Sequence, residues 1–357
     1  LIEGNAAEIQ SSLQTVSDFT WIKTDDTGMQ FQTGLGLTIR IIPVAPASYA
    51  ETLLRSSSSD LFYQSWKNKA GDAHAFETEE ACFTSLQFPY IPPFYREDPS
   101  VLENPAQIAK PCIQLSDIRG IIHSHSQWSD GSQTLEAMAL AAREAGLEYL
   151  VISDHSQSAF YANGLSVERI KEQHSEIDRL NAKLHPFKIF KSIEADILND
   201  GSLDYSDQLL STFDLVIASV HSNLKMSEEK AMMRLLKAIE NPYTTILGHM
   251  TGRLLLSRPG YPVNHDAIID ACARHRVIIE LNANPNRLDM DWRFIRKALD
   301  KNVLISIDPD AHEIAGYQDN FYGVLVAQKA WLQPHQNLSS FTLQAFESFL
   351  ETQRNKR

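Results

Sequence analysis

"GIIHSHSQWSDG" (residues 120–131) contains the pattern on which the second half of the chain is built. An apolar, β-branched run ends in two histidines one residue apart, and a short polar loop then leads into "TLEAMALAAREAGL" (134–147). The amphipathic spacing of that stretch predicts a helix, capped by Ser132 or Thr134. A strand followed directly by a helix is the repeating unit of a parallel sheet.

The same alternation recurs six more times along the chain. Seven such units predict an α/β fold whose parallel sheet closes, or nearly closes, into a barrel. We place this barrel at residues 116–335 and a C-terminal helix at 336–357. The six further strand regions are 149–155, 187–198, 214–222, 244–250, 277–283 and 303–312.

The first 115 residues lack this rhythm. "FTWIKT" (19–24), "MQFQT" (29–33) and "LTIRIIPV" (37–44) are typical of antiparallel strands, and "TDDTG" (24–28) is typical of a hairpin turn. A short helical region follows, and then the proline-rich "FPYIPPFYRED" (88–98). We therefore predict a smaller α+β domain at residues 1–84 and a connector at 85–115.

Length and charge limit the classes of protein to consider. The 357 residues suit two domains, or one large domain with an extension. The net charge of −13 excludes a generally basic nucleic-acid coat, so any affinity for a polyanion must come from local basic groups or bound cations. The first residue is Leu, which suggests a processed chain or part of a longer protein.

The cysteines and the apolar runs indicate the cellular compartment of the protein. Three widely separated cysteines, an odd number, argue against a disulfide framework and favour a reduced setting. No apolar run approaches a membrane span, and no signal peptide is visible. We expect a cytoplasmic protein with no membrane partner and leave its oligomeric state open.

Residues that can bind metal stand where the predicted strands end. In parallel barrels the functional site is built at this rim, from residues on different strands. The two histidines of "HSH" can grip one ion together, because alternate strand residues point to the same face. The sequence therefore predicts a metal site formed by His123, His125, Asp130, His155, Glu194, His221, His249, Asp310 and His312.

Each of these residues is weak evidence by itself. His249 in "GHM" and His221 in "SVHS" could be ordinary core histidines bonded to a carbonyl. Glu194 is stronger, because a carboxylate buried after an apolar strand is costly unless it meets a cation. Together, however, six strand ends that each carry a residue able to bind metal favour the metal site. We expect the other histidines on the surface, namely His74, His174, His185, His265, His275 and His335.

The pattern of these residues resembles the polymerase and histidinol phosphatase (PHP) family of metal-dependent phosphoesterases. That family has an HxH with a following acid or His, then DH, Glu, His, GH and DxH, and each element is present here. "EADILNDGSLDY", "ILGHMTGRLLLSR", "NANPNRLDM" and the connector are similar to the PHP module of bacterial family X DNA polymerases. The resemblance implies a distorted seven-stranded barrel that holds up to three divalent ions, which could be Zn²⁺, Mn²⁺ or Fe²⁺.

The resemblance also implies an assignment of ligands. His123, His125, Glu194 and Asp310 would hold the first ion; Asp130, His155 and His312 the second; and Glu194, His221 and His249 the third. The implied reaction is hydrolysis of a phosphate ester by a metal-activated water. For the substrate we select Arg253 as a phosphate clamp, Arg258 and Arg287 as weaker candidates, and Asn282 as a pocket residue, while Asp154 could orient a ligand histidine.

The first domain more faintly resembles the last palm strands of the polymerase. Thr38 stands where that family has a catalytic carboxylate, so we expect no polymerase activity. The resemblance favours an enzyme acting on DNA 3′ ends, as a 3′–5′ exonuclease or a 3′-phosphatase. A small-molecule phosphatase of the histidinol-phosphate type is the alternative. A non-catalytic domain with structural metals that supports a partner polymerase is a third possibility.

Overall fold

The computed structural model describes residues 1–26, 28–71, 75–104, 108 and 110–355. It divides into two compact units, Leu1–Lys110 and Pro111–Arg357. The domain boundaries expected at 84/85 and 115/116 stay predictions. Among the described residues, none of the helices combines the length and the hydropathy that crossing a membrane would require.

The first unit is a small α+β structure, as predicted. Its central strands pair antiparallel in the order β2-β3-β4, and β1 and β5 form a short parallel pair. Met29, Phe31 and Ile41 pack with Ile9 as its buried core. The elements are β1 (Ile2–Glu3), α1 (Ala6–Gln14), β2 (Phe19–Asp25), β3 (Gly28–Thr33), β4 (Thr38–Ile41), β5 (Pro43–Val44), α2 (Tyr49–Ser56), α3 (Asp60–Ala70) and α4 (Glu79–Thr84).

The second unit contains seven parallel strands hydrogen-bonded in sequence order. A parallel bridge between Ser124 and Ala311 joins the ends of the first and last strands, so the sheet nearly closes into a barrel. This confirms the predicted α/β fold. The strands are β6 (Gly120–Ser124), β7 (Tyr149–Ile152), β8 (Lys188–Asp196), β9 (Leu215–Ser219), β10 (Ile246–Leu247), β11 (Ile278–Asn282) and β12 (Ile305–Asp308).

Helices connect successive strands and cover the sheet. Several begin with a side chain that caps the first turn, such as Thr134, which accepts a hydrogen bond from the amide of Ala137. Ser166, Ser227 and Asn264 do the same for later helices. The helices are α5 (Leu135–Glu144), α6 (Val167–Leu184), α7 (Asp207–Leu210), α8 (Glu228–Glu240), α9 (His265–His275), α10 (Trp292–Asp300), α11 (Asn320–Lys329) and α12 (Leu343–Arg354).

Apart from the partly buried Lys188 and Lys191 of β8, the strands of the second unit are buried along their whole length, with layers of Ile, Val and Leu between sheet and helices. This continuous apolar character is what a parallel sheet covered by helices requires. Polar side chains interrupt it mainly toward the carboxyl ends, where Glu194, Glu280 and Asn282 are buried. The fold therefore gathers chemically active groups at one end of the barrel.

Candidate metal centre

The end of β6 has an irregular backbone. His123 lies in the left-handed region with a φ of 59°, and the pairing of β6 with β7 shifts register between Ile121 and Ser124. Asp310, after β12, also has a positive φ, of 53°. Such conformations are uncommon for residues other than glycine and concentrate at functional sites. The two strained residues meet, because Nε2 of His123 lies 3.5 Å from Oδ1 of Asp310.

Glu194, at the end of β8, is the centre of the cluster. Its two oxygens lie within 3.7 Å of imidazole nitrogens from five histidines at the ends of four different strands. Burial alone would raise the pKa of this carboxyl, but the surrounding imidazoles hold it well below its usual range. The five distances are 2.9 Å to His249, 3.0 Å to His155, 3.1 Å to His221, 3.3 Å to His123 and 3.7 Å to His125.

A second group of ligand atoms surrounds Asp130, in the loop after β6. Its oxygens lie 3.5 Å from Nε2 of His312, 3.7 Å from Nε2 of His155 and 3.9 Å from Nδ1 of His125. The side chains of Asp130 and His312 are 32% and 39% exposed, whereas Glu194 is buried. The Asp130 side is therefore the one that faces solvent.

The charges of this outer group are coupled. Burial would raise the pKa of Asp130, yet its hydrogen bond with His312 and the neighbouring rings lower that pKa to about 2. Burial would lower the pKa of His312, yet Asp130 and Asp310 raise it to about 9. Burial and the adjacent His312 and His155 rings lower the pKa of His125 to about 3. His125 is thus held neutral, which is the form that binds a metal.

Several buried polar atoms of the cluster have no hydrogen-bond partner in the part of the chain that the structure describes. They are Nε2 of His123, Nδ1 of His125, His155 and His249, and Oε2 of Glu194. A buried polar group without a partner is destabilising unless something else satisfies it. Mixed imidazole and carboxylate donors suit divalent cations such as zinc, manganese or iron. The side chains in this cluster therefore fit metal ions.

The ligand atoms form three overlapping groups. In each group, all atoms lie within 4.8 Å of one another, which is the spacing of donors around one ion. One group joins His123, His125 and Asp310, and a second joins Asp130 and His312 with His125 and His155. The third joins Glu194, His221 and His155, with His249 on the same carboxylate.

Two further carboxylates contact two of the histidines at the ring nitrogen that does not face Glu194. Oε2 of Glu280 lies 2.5 Å from Nδ1 of His123, and Asp196 contacts Nδ1 of His221. Carboxylates in this position fix the tautomer and the orientation of a metal-binding imidazole. The sequence prediction missed both residues. Glu280 stands in the apolar run "VIIELNA", and the argument that singled out Glu194 as a buried acid applied to it equally.

Asn282 and Arg287 lie at the cluster. Nδ2 of Asn282 donates to Glu280 and to Oδ2 of Asp310 over 2.9 and 3.1 Å. Nε of Arg287 lies 3.5 Å from the same oxygen of Asp310. Both sequence-predicted residues are therefore beside the predicted ligands, and their part in binding a substrate stays a prediction.

No contact among the described residues joins Arg253 to the predicted ligands, and its role as a phosphate clamp stays a prediction. Its guanidinium donates to the carbonyls of Arg287 and Leu288 and pairs with Asp291 at 3.1 Å. All three nitrogens therefore hold the loop after β11. Arg258 donates to the carbonyl of Gly252 over 2.9 Å, and no contact among the described residues joins it to the predicted ligands.

Asp154, which the sequence suggests as an orienting residue, keeps that assignment only as a prediction. It contacts no histidine among the described residues but accepts hydrogen bonds from Ser126, Ser129 and Gln173. These bonds hold the loop that carries Asp130. Gly131 completes this loop, because a Cβ at that position would stand 2.4 Å from the carbonyl oxygen of His125.

Among the described residues, the remaining histidines lie outside the cluster. Three of them, His174, His265 and His275, are half-buried and correct the surface prediction. His174 packs against Phe213, and its Nε2 is buried with no hydrogen-bond partner among the described residues. His185 and His335 are exposed, as expected. His74 lies outside the described residues.

Residues 122–284, which supply β6 to β11 and seven of the nine predicted ligands, match the PHP domain. This part of the chain is a PHP domain. The match extends the resemblance seen in the histidine and carboxylate pattern from single motifs to most of the barrel. It ends before β12, whose Asp310 and His312 complete the cluster in the structure.

The chain is also similar to known proteins. It is 39% identical over 283 residues to the DNA polymerase/3′-5′ exonuclease PolX of Bacillus subtilis, an alignment that covers 79% of this chain and 50% of that protein. It is 27% identical over 178 residues to a probable phosphatase of Caldanaerobacter subterraneus, covering 46% of this chain and 63% of the relative. The chain thus spans about half of the first relative and less than two thirds of the second.

One solved structure is similar in part. A histidinol phosphate phosphatase from Lactococcus lactis, complexed with zinc, L-histidinol and phosphate, is 17% identical with a TM-score of 0.47. The match covers 60% of this chain and 94% of that one.

Proposed function

We propose that the PHP domain is a metal-dependent phosphoesterase that acts on DNA 3′ ends, as a 3′–5′ exonuclease or a 3′-phosphatase. The observation that carries this proposal is the convergence of five imidazoles on the buried carboxylate of Glu194. Similarity to a polymerase/exonuclease over 79% of the chain supports DNA as the substrate.

Three divalent ions fit the three groups of ligand atoms. By the family pattern, His123, His125, Glu194 and Asp310 would hold one, Asp130, His155 and His312 another, and Glu194, His221 and His249 the third. The groups of ligand atoms overlap this assignment, with His125 also in the second group and His155 also in the third. Bound ions would polarise a phosphate oxygen and lower the pKa of a water molecule. Zn²⁺, Mn²⁺ and Fe²⁺ all suit imidazole and carboxylate ligands.

The chain's own residues bind and orient the substrate. Arg287 stands beside Asp310 and can donate to a non-bridging phosphate oxygen, since a guanidinium matches phosphate geometry. Asn282 and Glu280 hold Asp310 and His123 in position. The partly exposed Asp130 and His312 mark the side from which an ester enters.

The charge of the pocket differs from that of the whole chain. The chain is acidic, with a net charge of −13. The ligand carboxylates Asp130, Glu194 and Asp310 are outweighed once divalent cations are bound, so the loaded pocket attracts an anionic ester. The pocket, rather than the general surface, therefore recognises the phosphate.

We propose no polymerase activity for this chain. Thr38, the first residue of β4, stands where the resemblance places a catalytic carboxylate, and its hydroxyl cannot replace that charge in holding a metal ion. A primer-extension assay with all four nucleotides should give no product. Extension by this chain would contradict the proposal.

The proposed function is tested with oligonucleotides ending in a 3′-hydroxyl or a 3′-phosphate, beside a panel of sugar and amino-alcohol phosphates. Metal-loaded protein should shorten or dephosphorylate the oligonucleotides. The His123→Ala variant should lose this activity while its circular dichroism spectrum stays unchanged, and His335→Ala, at an exposed position, serves as the matched control.

Two other results would overturn the choice of substrate or the activity itself. Hydrolysis of amino-alcohol phosphates alone would favour the small-molecule phosphatase. Stoichiometric metal with no turnover of any phosphate ester would favour a non-catalytic domain that supports a partner polymerase.

A further inference from the structure

Two large aromatic side chains stand in solvent on the turn that follows β7. Phe160 and Tyr161 are 89% and 72% exposed and belong to a 3-10 helix, Phe160–Ala162. Their neighbours Ala159 and Ala162 are buried. The small residues therefore attach the turn to the barrel, while the two rings contribute little to the core.

The turn is tied down on both sides. Before the rings, the amide of Ser158 donates to Asp204 over 3.0 Å. After them, Arg169 donates to the carbonyl of Asn163 over 2.8 Å. Gly164 is packed so closely that a Cβ there would stand 1.9 Å from the carbonyl oxygen of Ser156. The rings are thus presented on a firmly held support, which reduces the ordering that a ligand must impose.

Tyr161 lies beside the ligand cluster, and Phe160 is its neighbour along the chain. The Tyr161 ring centroid is 6.2 Å from that of His155. His155 in turn contacts Asp130, the solvent-facing ligand, and Glu194. A group attached to a phosphate ester bound at the solvent-facing side of the cluster therefore comes within reach of these rings.

We propose that Phe160 and Tyr161 form a stacking platform for the terminal bases of a single-stranded nucleic acid whose 3′ end enters the metal site. This inference rests on the proposed function. It deepens that function by naming the form of the substrate, because a base paired within a duplex has its faces covered by its neighbours.

The chemistry of the surface favours a base as the occupant. Stacking on aromatic side chains is how proteins hold single strands without reading sequence, since every base has an exposed π face. An acidic chain gains little from general attraction to the phosphate backbone, so contacts with bases carry more of the affinity. The platform therefore predicts hydrolysis with little sequence preference and a requirement for an unpaired end.

The test compares two oligonucleotides that differ only at the 3′-terminal residue, which carries a base in one and is abasic in the other. Stacking of one base predicts a ratio of kcat/KM, base over abasic, of about tenfold for the unchanged protein. Phe160→Ala and Tyr161→Ala should bring this ratio towards one. Phe160→Tyr and Tyr161→Phe, which keep the ring, should preserve it.

A binding measurement makes the outcome independent of catalysis. A terminal 2-aminopurine, on an oligonucleotide with hydrolysis-resistant phosphorothioate linkages, should lose fluorescence on binding to metal-loaded protein. The quenching should be lost in Phe160→Ala and Tyr161→Ala.

The two proposals fail in different ways. Hydrolysis of the oligonucleotide with a ratio of one, or quenching that persists without the rings, overturns the platform and leaves the proposed function standing. Absence of hydrolysis with ring-dependent quenching overturns the proposed function and keeps the platform. Absence of both overturns both.

Discussion

Oε2 of Glu280 lies 2.5 Å from Nδ1 of His123, and both side chains are buried. Burial would lower the pKa of His123, but the charge of Glu280, followed by those of Glu194 and Asp310, raises it well above its usual value. With Nδ1 engaged by Glu280, Nε2 is the nitrogen that faces Glu194 and Asp310. Glu280 therefore determines which His123 nitrogen is free for a metal.

Glu280→Gln should weaken metal binding by about 10- to 100-fold, because an amide cannot hold the imidazole as a carboxylate does. The affinity is measured by competition with a chromophoric chelator. Glu351→Gln, at an exposed position on α12, is the matched control. Unchanged affinity in Glu280→Gln would show that His123 is oriented by other contacts.

The positions of the predicted ligands followed from local sequence. Apolar runs and amphipathic stretches alternate clearly enough to mark where each strand ends, and in a parallel sheet those ends share one edge. His123, Glu194 and Asp310 could therefore be expected together although they are far apart in sequence. In the structure, Nε2 of His123 lies 3.3 Å from Glu194 and 3.5 Å from Asp310.

The contacts of long, flexible side chains could not be predicted in this way. Arg253 and Arg287 follow different strands, and both could have reached a phosphate. The loop after β11 exposes carbonyl groups that need donors, and Arg253 satisfies two of them. Which arginine is left for the cluster depends on this tertiary arrangement.

Arg253→Ala should destabilise the fold by about 1–3 kcal/mol, since two carbonyl groups lose their donor and Asp291 loses a partner. Urea unfolding measures this loss. Arg293→Ala is the matched control, because Arg293 contacts the same Asp291 from an exposed position and should contribute less. An equal or larger loss in Arg293→Ala would contradict the bracing function of Arg253.

Arg287→Ala should raise KM for a phosphate ester several-fold while the metal content stays unchanged, because its guanidinium lies beside the ligands rather than among them. Steady-state kinetics and metal analysis on the same sample provide the test. Arg296→Ala, at an exposed position on α10, controls for the loss of a surface charge. Wild-type kinetics in Arg287→Ala would remove this residue from substrate binding.

Removal of metal should inactivate the protein and lower its melting temperature, because only the folded chain holds the ligand atoms together. Mn²⁺ or Zn²⁺ should restore both properties. Asp310→Asn should respond less to added metal, whereas the exposed Asp207→Asn should respond as the unchanged chain does. A protein whose activity and melting temperature are indifferent to chelators would contradict the metal centre.

His174 predicts a dependence of stability on pH that is separate from the metal cluster. Burial and the nearby charge of Lys191 lower its pKa to about 4, against the weaker opposing effects of Asp214 and Asp178. Between pH 6.5 and 4 the unfolded chain therefore binds a proton at this histidine that the folded chain does not bind, so the free energy of unfolding falls as the pH falls.

The His174→Gln variant removes this titration and should lose less stability between pH 7 and pH 5 in urea titrations of metal-free protein. His335→Gln, at an exposed position, should follow the unchanged chain. Parallel losses in His174→Gln and the unchanged chain would show that His174 binds its proton equally well in both states.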